Sequence, residues 1–185
     1  IFIFLISVEI ILRIVGFGNP LIYKNTKYNY YPLEKQNIRR LLGKRVVIND
    51  YGMRTKFNWE NDKSNNKIIF FGDSILFGGS YIDNNELFSD LLCKKYFKNS
   101  MCGNYGVNGY KLTNLINRIE DIDLSYYDRL IIVVSNSFDF GKSEFEDFPF
   151  YEKYDYLFLR STSEIINHML FKYKILDRYH HSKLK

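Results

Sequence analysis

Three short runs of apolar residues in the middle of the chain predict buried strands. The runs are Lys67–Phe71, Gly103–Tyr105 and Leu130–Val134, and each is followed by a glycine or a serine. Strands that are apolar at consecutive positions are typical of sheets covered on both faces, as parallel sheets are. The pattern therefore predicts a parallel sheet built around these segments.

The two intervals between these runs have the periodicity of helices. Asn85–Phe97 and Tyr110–Ile122 carry apolar residues at helical spacing, and each supplies the length of chain that a parallel connection needs. Strands and helices therefore alternate, which predicts an α/β fold with a parallel sheet between layers of helices. In such sheets a ligand site lies beyond the carboxyl ends of the strands.

The beginning of the chain has a different pattern, with Glu9 and Arg13 as the two charges in residues 1–22. The apolar stretch 1–17 is slightly shorter than the about 20 residues that cross a bilayer. We expect residues 1–22 to be the C-terminal part of a single membrane helix. The alternative is an amphipathic helix that lies on the domain or on a membrane surface.

The whole pattern predicts three parts for a chain of 185 residues, which at roughly 150 residues per domain has room for one domain. After the membrane helix, residues 23–66 are expected to form an extended connecting segment. Residues 67–185 are expected to form the α/β domain. We expect this domain to be incomplete at its C-terminus, since the helical pattern beginning at Ser161 is followed by no further strand.

Composition and charge exclude several classes of protein. With 46% hydrophobic and 25% charged residues, the chain is neither disordered nor collagen-like nor a protein with many membrane spans. The net charge of +5 would favour nucleic-acid binding, but the basic residues are scattered and belong to no recognisable nucleic-acid module. We therefore expect no nucleic-acid partner.

The few sulfur and imidazole groups make a metal site or a cofactor unexpected, since the chain has two cysteines and three histidines. We expect Cys93 and Cys102 to be small buried apolar residues. A bridge between them in an oxidising compartment is the alternative.

Three loops with polar or small residues follow the three predicted strands. They are Gly72–Ser74, Gly106–Gly109 and Ser135–Ser137. Because the carboxyl ends of parallel strands meet at one edge of a sheet, we expect these loops to lie together. This convergence is the main indication of a functional site.

The side chains and backbone of these loops suit nucleophilic catalysis. Ser74 follows a buried strand and would present its hydroxyl at the edge of the sheet, where Gly109 offers an N–H and Asn136 a carboxamide. A nucleophile, a base and donors for an oxyanion are the groups that acyl transfer needs. For any one loop the alternative is structural, with Asp73 or Ser74 capping a helix and the glycines shaping turns.

Two of these loops resemble sequence blocks of the SGNH, or GDSL, hydrolase superfamily. Phe71-Gly72-Asp73-Ser74 is similar to the first block, whose serine is the nucleophile. Asn104–Gly109 is similar to the second block, with Gly109 at the position of the oxyanion-hole glycine. The resemblance implies a three-layer α/β/α, flavodoxin-like fold.

The third block of the family resembles Val134–Ser137, which keeps the asparagine as Asn136 and lacks the block's Gly and Asp. The letters of the fourth block, Asp-x-x-His, are matched by Asp177 and His180, which would be the orienting carboxylate and the base. The alternative is a coincidence within a helical pattern, since Asp177 and His180 could be the solvated face of a helix.

Two further segments resemble a membrane-anchored branch of this superfamily. They are Glu9–Pro20, at the end of the expected membrane helix, and Ile48–Arg54, which has the branch's Asn-x-x-Gly-x-Arg pattern. The resemblance implies a serine esterase or O-acyl hydrolase or transferase without a cofactor. An acylated cell-surface carbohydrate or lipid is the expected substrate. We expect a single-pass membrane protein with an extracytoplasmic catalytic domain. The alternative is a catalytically inactive SGNH-like binding or assembly protein.

Overall fold

The computed structural model describes residues 2–15, 21–26, 30–39, 44–56, 66–79, 81–133 and 140. The helices are α1 (Phe2–Val15), α2 (Ser74–Phe77), α3 (Phe88–Tyr96) and α4 (Leu112–Glu120), with 3₁₀ turns at Asn84–Glu86 and Leu124–Tyr126. The strands are β1 (Tyr23–Asn25), β2 (Tyr30–Pro32), β3 (Gln36–Arg39), β4 (Arg45–Ile48), β5 (Asn66–Gly72), β6 (Ser100–Gly106) and β7 (Arg129–Val133).

The last three strands form a parallel sheet in the order β6-β5-β7. These are the three strands that the apolar runs predict, and the helices α3 and α4 lie within the two predicted helical intervals. The prediction of a mixed α/β protein with a parallel sheet is thus confirmed for the described residues.

The central strand β5 is buried on both faces of this sheet because its apolar residues alternate in direction. Ile68 and Phe70 pack against Leu92 of α3 on one face. Ile69 and Phe71 belong to the core on the other face, where α4 contributes. A strand that is apolar at every position is therefore explained by helices on either side.

The described part of residues 23–66 is more than an extended connection. It holds two antiparallel strand pairs, β1 with β2 and β3 with β4. Buried side chains from these pairs join the core that contains Phe71, and they are Tyr23, Ile38, Val46 and Ile48. The described part of this segment packs against the sheet as part of the same folded unit.

The expectation of two reduced cysteines is wrong, because Cys93 and Cys102 form a disulfide. The last turn of α3 passes the beginning of β6, which brings the two Cα atoms to 6.1 Å from each other. This separation lies within the range that a disulfide requires. The contact depends on how α3 packs on the sheet, which the nine-residue spacing along the chain does not reveal.

The helix α1 has 14 residues and exposes large apolar side chains such as Phe2, Ile3 and Phe4. Across the described ranges, none of the helices has the length and apolar character needed to cross a membrane.

Candidate active site

The three strands of the parallel sheet end in register. Gly72 of β5 lies beside Gly106 of β6 and beside Val133 of β7. The backbone N–H of Val107 also donates a hydrogen bond of 3.1 Å to the carbonyl oxygen of Gly72. The loops that follow β5 and β6 therefore leave the sheet from one edge and are joined at their first residues.

Ser74 is the first residue of α2 and is exposed, so its side chain is not turned into the core. The preceding Asp73 is 6% exposed, and its carboxylate accepts a hydrogen bond of 2.9 Å from the N–H of Ile75. Asp73 thus caps the helix, the role that its type and position favour. A buried cap fixes the backbone on which the exposed Ser74 lies.

The short helix α2 is closed at its other end by a glycine. Gly78 has φ +86°, and its N–H donates to the carbonyl oxygen of Ser74 at 2.9 Å. A left-handed residue at this position is the usual way to end a helix, and glycine adopts it without steric cost. Leu76 and Phe77 are buried, so the four-residue helix is held by its core-facing side.

Two glycines let the helix α2 pack directly on the sheet. A Cβ atom at Gly106 would overlap the backbone nitrogen of Phe77, and one at Gly72 would lie 2.8 Å from the Cβ of Leu76. Both positions leave too little space for a side chain. The glycines of the first two loops therefore place the Ser74 helix against β5 and β6.

Asn104 ties the helix α2 to β6 from within the core. Its side-chain nitrogen donates to the carbonyl oxygen of Leu76 at 2.8 Å and to the hydroxyl of Ser89 at 3.0 Å. Its side-chain oxygen accepts from the N–H of Gly106 at 2.8 Å. One buried carboxamide therefore connects the Ser74 helix, the second loop and α3.

Gly109 is exposed and has φ +81°, a conformation that residues with a side chain rarely adopt. A Cβ atom here would lie 2.8 Å from the hydroxyl oxygen of Tyr30. That hydroxyl donates a hydrogen bond of 2.8 Å to the carbonyl oxygen of Asn108. The hydroxyl of Tyr110 donates in turn to the carbonyl oxygen of Tyr30. Hydrogen bonds to Tyr30 of strand β2 therefore hold the Gly109 loop in place.

Burial keeps the phenols beneath this loop neutral. It raises the pKa of Tyr110, and also that of Tyr105, well above the ordinary value for tyrosine. The hydroxyl of Tyr105 lies 3.3 Å from that of Tyr127. These tyrosines are hydrogen-bonding supports at neutral pH and are not candidates for a general base.

The remaining predicted site residues, Asn136, Asp177 and His180, lie outside the described residues. The three histidines of the chain, His168, His180 and His181, all lie there too, and the described ranges contain none. Over the described ranges, no group of His, Cys, Asp and Glu side chains could hold a metal ion. The structure therefore describes the Ser74 and Gly109 loops of the predicted site.

A cavity of about 130 Å³ is lined by residues 54–56, by the 3₁₀ turn Asn84–Glu86 and by α3. Arg54, Asn84 and Ser89 contribute to its wall, and neither Ser74 nor Gly109 does. This cavity is therefore separate from the edge on which the candidate nucleophile lies.

The sequence pattern predicts no role for two residues that donate hydrogen bonds to carbonyl groups of α2. They are Asn104 and Arg54, which are each 1% exposed. Both lie in segments that resemble the hydrolase family, Asn104 in the second block and Arg54 in the Asn-x-x-Gly-x-Arg segment. A polar side chain inside an otherwise apolar strand was the available signal for Asn104.

Comparison with protein-family profiles, with curated proteins and with solved structures found no match. The chemistry of the loops around Ser74 is therefore the basis for a functional proposal.

Proposed function

We propose that this chain is a serine esterase or O-acyl hydrolase or transferase of the SGNH type, with a flavodoxin-like α/β/α arrangement. The supporting observation is the exposed Ser74 on a tight turn capped by Asp73, directly after the central parallel strand. The glycine loop that ends at Gly109 leaves the neighbouring strand at the same edge. A nucleophilic serine needs an accessible hydroxyl, an activating base and donors for the oxyanion.

In the proposed mechanism the oxygen of Ser74 attacks the carbonyl carbon of an ester. Its proton passes to the His180 imidazole, which Asp177 orients. The oxyanion is stabilised by the N–H groups of Ser74 and Gly109 and by the carboxamide of Asn136. The carbon–oxygen bond to the leaving alcohol then breaks, and the imidazolium returns the proton to that alcohol. Water or a sugar hydroxyl removes the acyl group from the serine, which gives hydrolysis or transfer.

The proposed location is the outer side of a membrane, with an acylated cell-surface carbohydrate or lipid as the substrate. The Cys93–Cys102 disulfide supports an oxidising compartment, where such bonds persist. The exposed apolar side chains of α1 support an attachment to lipid. Both features suit an enzyme whose substrate belongs to the cell surface.

A second candidate is an inactive SGNH-like binding or assembly protein. The observation in its favour is the third block, where Val134 and Ser137 replace the Gly and Asp of the family pattern. Such a protein would keep the sheet and the Asp73 turn and would have no turnover.

Hydrolysis of p-nitrophenyl acetate by the full chain tests the first candidate. Ser74→Ala is expected to abolish turnover and to leave the thermal midpoint nearly unchanged, because the Ser74 side chain is exposed. Ser125→Ala is the matched control, since Ser125 is also exposed and also lies in a turn capped by an aspartate, Asp123. Turnover that persists in Ser74→Ala would remove Ser74 from the mechanism, and a folded wild type without turnover would favour the binding protein.

A further inference from the structure

Arg54 is a buried cation in the described part of the chain. Its side chain is among the largest fully buried ones, with 1% exposure. Among the described residues, Arg54 has no carboxylate within ion-pair distance. Burial lowers the pKa of Arg54 to about 10, so the group remains protonated at neutral pH. A buried charge is costly unless polar groups surround it, so its partners identify its role.

The terminal nitrogens of Arg54 donate to backbone carbonyl groups of the segment that follows Ser74, and its Nε donates to the side-chain oxygen of Asn84 at 3.4 Å. One terminal nitrogen donates to the carbonyl oxygen of Phe77 at 2.7 Å and also to that of Gly79. The other terminal nitrogen donates to the carbonyl oxygen of Ile82 at 2.7 Å. The guanidinium also lies 4.8 Å from the centre of the Phe77 ring. One side chain therefore binds the end of α2 and the turn beyond it.

The carbonyl group of Phe77 lies at the carboxyl end of α2. The last carbonyl groups of a helix accept no hydrogen bond from within the helix. A cation at this end also interacts favourably with the helix dipole. Phe77 is the last residue of α2 and Ser74 is its first, so Arg54 holds one end of a four-residue helix that carries the candidate nucleophile at the other.

The position of Arg54 is itself fixed by the turn that precedes it. The side-chain oxygen of Asn49 accepts hydrogen bonds of 3.0 Å from the N–H groups of Tyr51 and Met53. Gly52 between them has φ +73°. The N–H of Arg54 then donates to the carbonyl oxygen of Asn104 at 2.8 Å.

Arg54 and Asn104 therefore hold α2 together. Asn104 binds the carbonyl oxygen of Leu76, and Arg54 binds that of the next residue, Phe77. Because Arg54 also donates its own N–H to Asn104, the two supports are linked to each other. This closed arrangement leaves α2 little freedom to rotate or shift.

We propose that Arg54 is a positioning residue, which holds the hydroxyl of Ser74 in its reactive orientation by fixing the carbonyl end of α2 and the turn after it. The inference rests on the proposed role of Ser74 as the nucleophile. It gives the turn at residues 49–54 an indirect role in the proposed catalytic site, in addition to the contribution of Met53 to the core.

The test is the rate at which a fluorophosphonate labels Ser74 in the full chain. In this reaction the serine oxygen bonds to phosphorus, fluoride leaves, and the serine proton passes to the base. Arg54→Met removes every side-chain donor, whereas Arg54→Lys keeps the charge and can still reach a carbonyl oxygen. Arg45→Met and Arg45→Lys are the matched controls, because Arg45 lies in β4, nine residues before Arg54, and is exposed.

We expect Arg54→Met to lower the labelling rate about tenfold or more, since small displacements of a reacting group reduce rates strongly. Arg54→Lys should fall between Arg54→Met and the wild type, and both Arg45 variants should react at the wild-type rate. With an ester substrate, the Arg54 variants should lose kcat while KM changes little. All rates are taken well below each variant's thermal midpoint.

Folded Arg54 variants that label at the wild-type rate would overturn the inference. A wild type that is not labelled would contradict the proposed function itself, and the inference with it. If neither Arg54 variant folds, the nitrogen NMR signals of the Arg54 guanidinium in the wild type decide. They should shift when Ser74 is phosphonylated, and unchanged signals would overturn the inference.

Discussion

Gly109 is the residue at which backbone conformation and candidate chemistry coincide. Its φ of +81° and the nearby hydroxyl of Tyr30 both exclude a side chain. The sequence predicts a role for this glycine from the resemblance of residues 104–109 to an oxyanion-hole block. It does not reveal Tyr30, which lies far away along the chain and supports the loop through a tertiary contact.

Substitution of Gly109 tests its predicted role. Gly109→Ala is expected to destabilise the fold by about 1–2 kcal/mol, because an L-residue in the left-handed region pays that amount. It should also lower ester turnover, because relief of the strain displaces the N–H of residue 109. Denaturant titration and turnover measure the two effects. Turnover at the wild-type level with reduced stability would remove the Gly109 N–H from the oxyanion hole.

At the scale of elements, the sequence predicts those whose pattern is local. The strands β5 and β7 are found because each contains four consecutive apolar residues, a pattern typical of strands in parallel sheets. Of the two, β5 is buried, whereas no residue of β7 is buried among the described residues. The strand β3 is not found because its buried Gln36 breaks the apolar alternation. The Gln36 side chain accepts from the N–H of Ile22 at 2.9 Å and donates to the carbonyl oxygens of Ile22 and Leu33. The Gln36 side chain meets these backbone groups only in the folded chain, so the local sequence pattern does not reveal its burial.

The Cys93–Cys102 disulfide, which links α3 to β6, provides a test at the scale of elements. A crosslink that closes a short loop restricts the unfolded chain, so reduction of the Cys93–Cys102 disulfide should lower the unfolding free energy by about 2–3 kcal/mol. Denaturant titration with and without reductant measures this difference. The Cys93→Ser/Cys102→Ser variant is the control and should not respond to reductant. Two free thiols in the chain isolated from its natural compartment would contradict the disulfide.

At the scale of the whole molecule, the N-terminal strands, the sheet and α4 share one core that is rich in buried tyrosine. The phenols of Tyr105 and Tyr110 are held neutral by burial, which raises the pKa of each. The abundance of tyrosine is visible in the composition, but its concentration in this core is not. Residue spacing cannot show which tyrosines meet across the sheet.

The buried phenols predict how stability depends on alkaline pH. In the unfolded chain tyrosine ionises near pH 10, whereas the folded chain keeps the protons of Tyr105 and Tyr110 to higher pH. The folded state then binds more protons, so the unfolding free energy should fall as the pH rises above about 10. Denaturant titrations at pH 8 and pH 11 measure the fall, which Tyr110→Phe should reduce. The exposed Tyr126 gives the control variant, Tyr126→Phe, and an equal effect of both variants would contradict this account.

The central claim is that the hydroxyl of Ser74 is an activated nucleophile. Its most direct test is peptide mass mapping of the full chain after reaction with a fluorophosphonate. The account predicts one phosphonyl group, on Ser74, and no label in Ser74→Ala. A folded chain that carries no label, or a label on another serine, would contradict the claim.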